Sequence, residues 1–165
     1  MIMDLFGETE TEPAVASVVE RAVPLPHDIV RSVTLHQSGG EIAIPEAGFH
    51  LRIPRAALGN QPITITVRAL AGSRIAYVFG PHGILFRAPL ELTQSLEHTS
   101  LDGATREVAL EGGYFLDGDL DRDAGTAFVR EFIPVAVPAA GSRIHMPITH
   151  FSGYVLASGR LSGGR

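Results

Sequence analysis

The run Ile63-Thr64-Ile65-Thr66-Val67 alternates apolar and polar β-branched side chains with a period of two. An extended strand puts Ile63, Ile65 and Val67 on one face and the threonines on the other, whereas a helix would scatter the apolar groups around its axis. The same alternation, interrupted by Gly and Pro, governs the chain after Pro26. Ile29–Leu35, Glu41–Pro45, Phe49–Pro54, Arg74–Phe79 and Leu90–Leu96 read as strands, as do Arg106–Leu110, Thr126–Ile133, Arg143–Ile148 and Phe151–Ala157. About ten short strands at this spacing predict an all-β fold, specifically a β-sandwich. The prolines fall mostly at strand ends, where a missing N–H does least harm.

Ahead of Pro26 the pattern differs. Ala14, Val15, Val18, Val19 and Ala22 follow helical spacing, with Thr11 as N-cap and Pro13 in the first turn. One short helix is therefore expected over Glu12–Ala22, ended by Pro24 and Pro26. Met1–Thr11 reads as an acidic tail and Gly159–Arg165 as a flexible Gly/Ser/Arg-rich tail.

Composition narrows the chemistry. The chain of 165 residues has the length of one domain and contains no cysteine, which excludes disulfides, thiol catalysis and cysteine-bound metal. Its 13 basic residues are all arginine, a bias expected of a GC-rich bacterial coding sequence. They are scattered, and the net charge is −5, so nucleic acid is not an expected partner. The sequence holds no apolar run long enough for a membrane span. The N-terminus has neither a basic nor an apolar leader region, and a cytoplasmic location is the default expectation.

Three segments carry a resemblance. They are Gly39-Gly40-Glu41-Ile42-Ala43-Ile44, then Phe49-His50-Leu51-Arg52-Ile53-Pro54-Arg55-Ala56-Ala57-Leu58 with Ile63–Val67, and Gly80-Pro81-His82-Gly83-Ile84-Leu85-Phe86 with Pro89-Leu90-Glu91-Leu92. Together they resemble the ZU-five domain of zonula occludens proteins, Unc-five netrin receptors and ankyrins, over about residues 33 to 96. In that pattern a glycine usually stands where this chain has Ala56. The resemblance implies a β-sandwich over 27–158 that acts as an interaction or structural module, with a protein partner or adjacent domain; the residues themselves give no expectation of a cofactor or metal.

His150-Phe151-Ser152 adds a chemical possibility. It is similar to the site at which self-processing relatives, those with function-to-find domains, cut their own chain between Phe and Ser. The resemblance implies that Ser152 attacks the Phe151 carbonyl, an N→O acyl shift whose ester product water hydrolyses. A hydroxyl needs a base for this, and histidine suits the role. His150 is the first candidate, although an extended strand separates it from Ser152 by about 6.6 Å. His145 and His82 are the alternatives. The other reading is an inert last strand, with Phe151 and Val155 in the core and His150 and Ser152 hydrogen-bonded locally.

Two weaker patterns are present. Asp117-Gly118-Asp119-Leu120-Asp121-Arg122-Asp123 places carboxylates at alternate positions, as calcium loops do. However, Arg122 stands where the loop glycine belongs and Phe128 where its last carboxylate belongs, so a solvated hairpin loop is expected. The seven histidines lack zinc-binding spacing.

Overall fold

A computed structural model describes residues 12–101, 110–116, 118–136 and 142–161. The strands are β1 (Ala14–Val18), β2 (Glu20–Leu25), β3 (Ile29–Leu35), β4 (Gly40–Ile44), β5 (Phe49–Ile53), β6 (Ile63–Ala69), β7 (Gly72–Arg74) and β8 (Ala76–Gly80). The chain continues with β9 (Leu85–Ser95), β10 (Glu111–Phe115), β11 (Leu120–Asp121), β12 (Thr126–Val129), β13 (Glu131–Ile133), β14 (Arg143–His150) and β15 (Gly153–Arg160). The fold is all-β and its strands pair antiparallel. Nine strands form one sheet, in the order β11-β12-β1-β15-β8-β6-β3, with β10 pairing both β15 and β13. Four more form the sheet β14-β9-β5-β4, and β2 pairs β7.

Alternation explains the packing. Ile65 and Val67 of β6 and Phe79 of β8 are fully buried from the nine-stranded sheet. They share one apolar cluster with Ile44, Leu51, Leu92 and Ile148 of the four-stranded sheet. The large sheet has a second, smaller cluster built from residues such as Val18, Phe115, Val129 and Val155. Strand β15 serves both: Tyr154 and Leu156 enter the shared core, while Val155 and Ala157 enter the second cluster.

The expected N-terminal helix is not formed. Its segment folds as β1 and β2, and β1 pairs β12 on one side and β15 on the other. Val18 and Val19, neighbours that helical spacing assigned to one stripe, are both buried but in different clusters. Val19 lies just past the end of β1, and adjacent residues of extended backbone point to opposite faces, a geometry that valine favours. The boundary drawn at residue 26 therefore falls away, because β1 is an interior strand of the large sheet. The C-terminal boundary moves too. Gly159 and Arg160 continue β15, and Arg160 pairs with Glu111 at 2.7 Å.

Other bounds shift locally. Arg74–Phe79 divides into β7 and β8, and Thr126–Ile133 into β12 and β13. Leu90–Leu96 belongs to the longer β9. Arg106–Leu110, apart from Leu110, lies outside the described residues. Strand β10, with Gly112 and Gly113, has no strand signal in the sequence because glycine weakens a strand. Here close approach requires it: a Cβ on Gly112 would lie 2.4 Å from Met146 Sδ, and one on Gly113 2.8 Å from a Val129 methyl carbon.

Two predictions follow from this packing. Leu51→Ala removes a fully buried side chain and should cost about 2–5 kcal/mol in chemical denaturation. Ala56 holds a left-handed backbone, with φ of 67°. Ala56→Gly should therefore raise stability in the same assay, by up to about 1 kcal/mol.

Candidate functional site

His150 ends β14 in the four-stranded sheet, and Gly153 opens β15 in the nine-stranded one. Phe151 and Ser152 are the whole connection between the two sheets at this point. Gly153 stands where the chain enters the large sheet, and a Cβ there would lie 2.6 Å from the Phe115 ring. Phe151 is buried between Phe79 and Phe86, with ring centroids at 5.1 and 4.8 Å. Aromatic contacts at these separations anchor the crossover in the shared core.

Ser152 is only 2% exposed. Its hydroxyl donates to the Phe115 carbonyl at 3.1 Å, and its own carbonyl accepts the Phe79 N–H at 2.9 Å. His150 is engaged elsewhere. Its Nε2 lies 3.5 Å from a Glu131 carboxylate oxygen, and its ring meets Tyr114 edge-on at 4.6 Å. The His150 carbonyl accepts the Tyr154 hydroxyl at 2.5 Å. Burial raises the pKa of that phenol well above its ordinary value, so Tyr154 remains a donor.

The sequence-derived pair therefore does not meet: no hydrogen bond joins an imidazole to Ser152 among the described residues. The chain turns from one sheet to the other at Phe151-Ser152, so the shared face expected for an extended strand is lost. His145 is also engaged apart from Ser152, with its Nδ1 3.1 Å from Thr93 Oγ1. Of the three candidate bases, His82 is the one that lines a cleft with Ser152.

That cleft encloses about 560 Å³ and also exposes Asp28, Arg68 and Arg122. Asp28 accepts the Ala71 N–H at 2.7 Å and lies 3.4 Å from Arg68. The Ala71 N–H, then Arg68 and Arg122, hold its pKa below the usual carboxylate range against a smaller opposing effect of burial. Asp28 and Arg68 are 40 positions apart, and no motif spacing signals them. Only the β3–β6 register, which pairs Ile29 with Ala69 and Val30 with Arg68, brings them together.

The acidic loop uses its carboxylates within the turn. Asp119 accepts the Leu116 N–H at 2.8 Å and binds Arg130 at 3.1 and 3.3 Å, while Asp121 accepts the Ala124 N–H. Asp117 lies outside the described residues. Among the described residues no group of three or more His, Asp or Glu is placed to hold a metal ion. No helix among them is long and apolar enough to cross a membrane. In comparison with known proteins, no family model matches the chain and no curated protein sequence matches it.

Ser152→Ala should cost about 1–2 kcal/mol in chemical denaturation, because it removes a buried hydroxyl and its hydrogen bond. Asp28 adds a pH-dependent contribution. Its ionised form is favoured in the folded state, so the stability it adds is present above about pH 4 and is lost as pH falls through the depressed value. Melting temperatures recorded from neutral to acid pH should therefore fall less steeply for Asp28→Asn than for the parent chain.

Proposed function

We propose that this chain is a ZU-five-type β-sandwich that serves as a non-catalytic interaction or structural module, holding a protein partner or an adjacent domain. The observation that carries this reading is the Ser152 hydroxyl, buried and committed to the Phe115 carbonyl with no imidazole bonded to it. A serine nucleophile needs a base within hydrogen-bond reach. Here the hydroxyl fastens the crossover instead, and His150, at the end of the four-stranded sheet, contacts Glu131 and Tyr114 of the nine-stranded one. Two features support the family assignment. The two larger sheets share one apolar core. Ala56 also adopts a left-handed backbone where the family pattern usually has glycine.

A second reading is self-cleavage of the Phe151–Ser152 bond. It draws on the position of that bond at the sheet-to-sheet crossover and on the cleft that Ser152 shares with His82. In this reading Ser152 Oγ bonds to the Phe151 carbonyl carbon, the Phe151–Ser152 C–N bond breaks, and the freed nitrogen takes a proton. Water then hydrolyses the ester, leaving a carboxylate on Phe151 and restoring the serine hydroxyl. His82, rather than His150, is the base that would accept the hydroxyl proton. Strand β15 would stay docked through its pairing with β1, β8 and β10.

Intact-mass measurement of the denatured chain after long incubation separates the two readings. The module reading expects one species of 17.6 kDa. Fragments ending at Phe151 and beginning at Ser152, absent from Ser152→Ala, would establish self-cleavage. A further loss of those fragments in His82→Ala would identify the base.

A further inference from the structure

Arg21, on β2, is a buried cation without a carboxylate partner among the described residues. It is 6% exposed. Its Nη1 donates to the Arg74 carbonyl at 3.2 Å, and its Nη2 to the Ala47 carbonyl at 3.3 Å and the Tyr77 hydroxyl at 3.0 Å. None of the ion pairs among the described residues includes it. Arginine is rarely buried unless its charge is paired, since carbonyl dipoles offset only part of the lost hydration. Tyr77 supplies no negative charge, because burial pushes its pKa up to about 12 and keeps the phenol protonated. A guanidinium has five N–H groups. The contacts above occupy three of them, leaving one N–H on Nε and one on Nη1 without an acceptor among the described residues.

Arg21 lines a cleft of about 500 Å³, within the range of roughly 300–1,000 Å³ typical of small-molecule sites. Its polar neighbours there are already engaged. The Gln94 amide donates to the Ala47 and Ser95 carbonyls while its oxygen accepts from Tyr77, and the Thr99 hydroxyl donates to the Leu96 carbonyl. The walls include Val23, which is 74% exposed, with Pro24 and Pro45. Two carboxylates also border the cleft. Glu46 is paired with Arg31 at 3.2 Å, and Glu97 is exposed and makes no ion pair with Arg21.

We propose that this cleft binds a small carboxylate with an apolar body, the carboxylate on the free N–H groups of Arg21 and the hydrocarbon part against Val23, Pro24 and Pro45. A carboxylate supplies both the missing counter-charge and the missing acceptors, and charge-assisted hydrogen bonds of this kind are the strong ones. The exposed valine and prolines favour an apolar body over a bare anion. The site is separate from the Phe151-Ser152 crossover and stands whether or not that bond is cut.

The test is titration of the full-length, isotope-labelled chain with benzoate, followed by the backbone amide signals of Gly48, Ser95 and Thr99. Benzamide, of the same shape but uncharged, is the control. Saturable shifts with benzoate and none with benzamide are expected. Val23→Glu, at an exposed position, should fold normally and weaken benzoate binding about tenfold through like-charge repulsion. Arg21→Gln should abolish binding if it folds. An absence of saturable shifts with benzoate, equal shifts with benzamide, or unchanged binding in a folded Val23→Glu would each overturn the proposal.

Discussion

Strand β15 is the constraint on which the architecture rests, because it is buried on both faces. Tyr154 and Leu156 point into the core shared by the two larger sheets, and Val155 and Ala157 point into the second cluster. Its backbone is paired along both edges. Strand β10 runs against Gly153–Ala157, while β8 and then β1 pair the opposite edge. A strand without a solvated face cannot slip by one residue without exchanging its two sets of core side chains. The register of the neighbouring strands follows from it.

This burial governs the crossover that precedes it. The chain leaves the four-stranded sheet at His150 and must enter the large sheet at Gly153, so two residues carry the transition. Phe151 fills the aromatic space between Phe79 and Phe86. Ser152, the polar member, is satisfied by Phe115 and Phe79 of two different neighbouring strands. A buried hydroxyl left without a partner would be costly; here the hydroxyl joins the crossover to β10 and the Ser152 carbonyl joins it to β8. The same junction forms part of the cleft that holds Asp28, Arg68 and His82. One short, buried segment thus both packs the core and forms part of the floor of a cleft.

Much of the strand pattern was legible in the sequence, for a local reason. Ile29–Leu35 matches β3 at both ends, and Ile63–Val67 lies inside β6, because each alternates between a more buried and a more exposed face and a period of two needs no distant information. The failures had a different origin. Val18 and Val19 are adjacent and buried in two clusters, which mimics helical spacing when only one buried face is assumed. Gly112 and Gly113 concealed β10, since their value lies in how closely Met146 and Val129 approach them. The candidate site was partly legible. Phe151 and Ser152 stood out as chemistry-bearing residues, but their turn between sheets, and with it the separation of His150 from Ser152, has no local signature.

By itself the sequence determined that this chain forms short β-strands with an apolar face, that it has no thiol chemistry, and that His150-Phe151-Ser152 is a chemistry-bearing segment. Side-chain period, residue type and turn residues are properties of short segments, so they can be read along the chain. The tertiary structure decided which strands become neighbours, that β15 is buried on both faces, and that the buried Arg21 lacks an acidic partner among the described residues. Those outcomes depend on groups far apart in sequence, such as Arg21 with Ala47 and Tyr77, or Ser152 with Phe115. Their energies come from burial and pairing that exist only once the sheets have closed over one another.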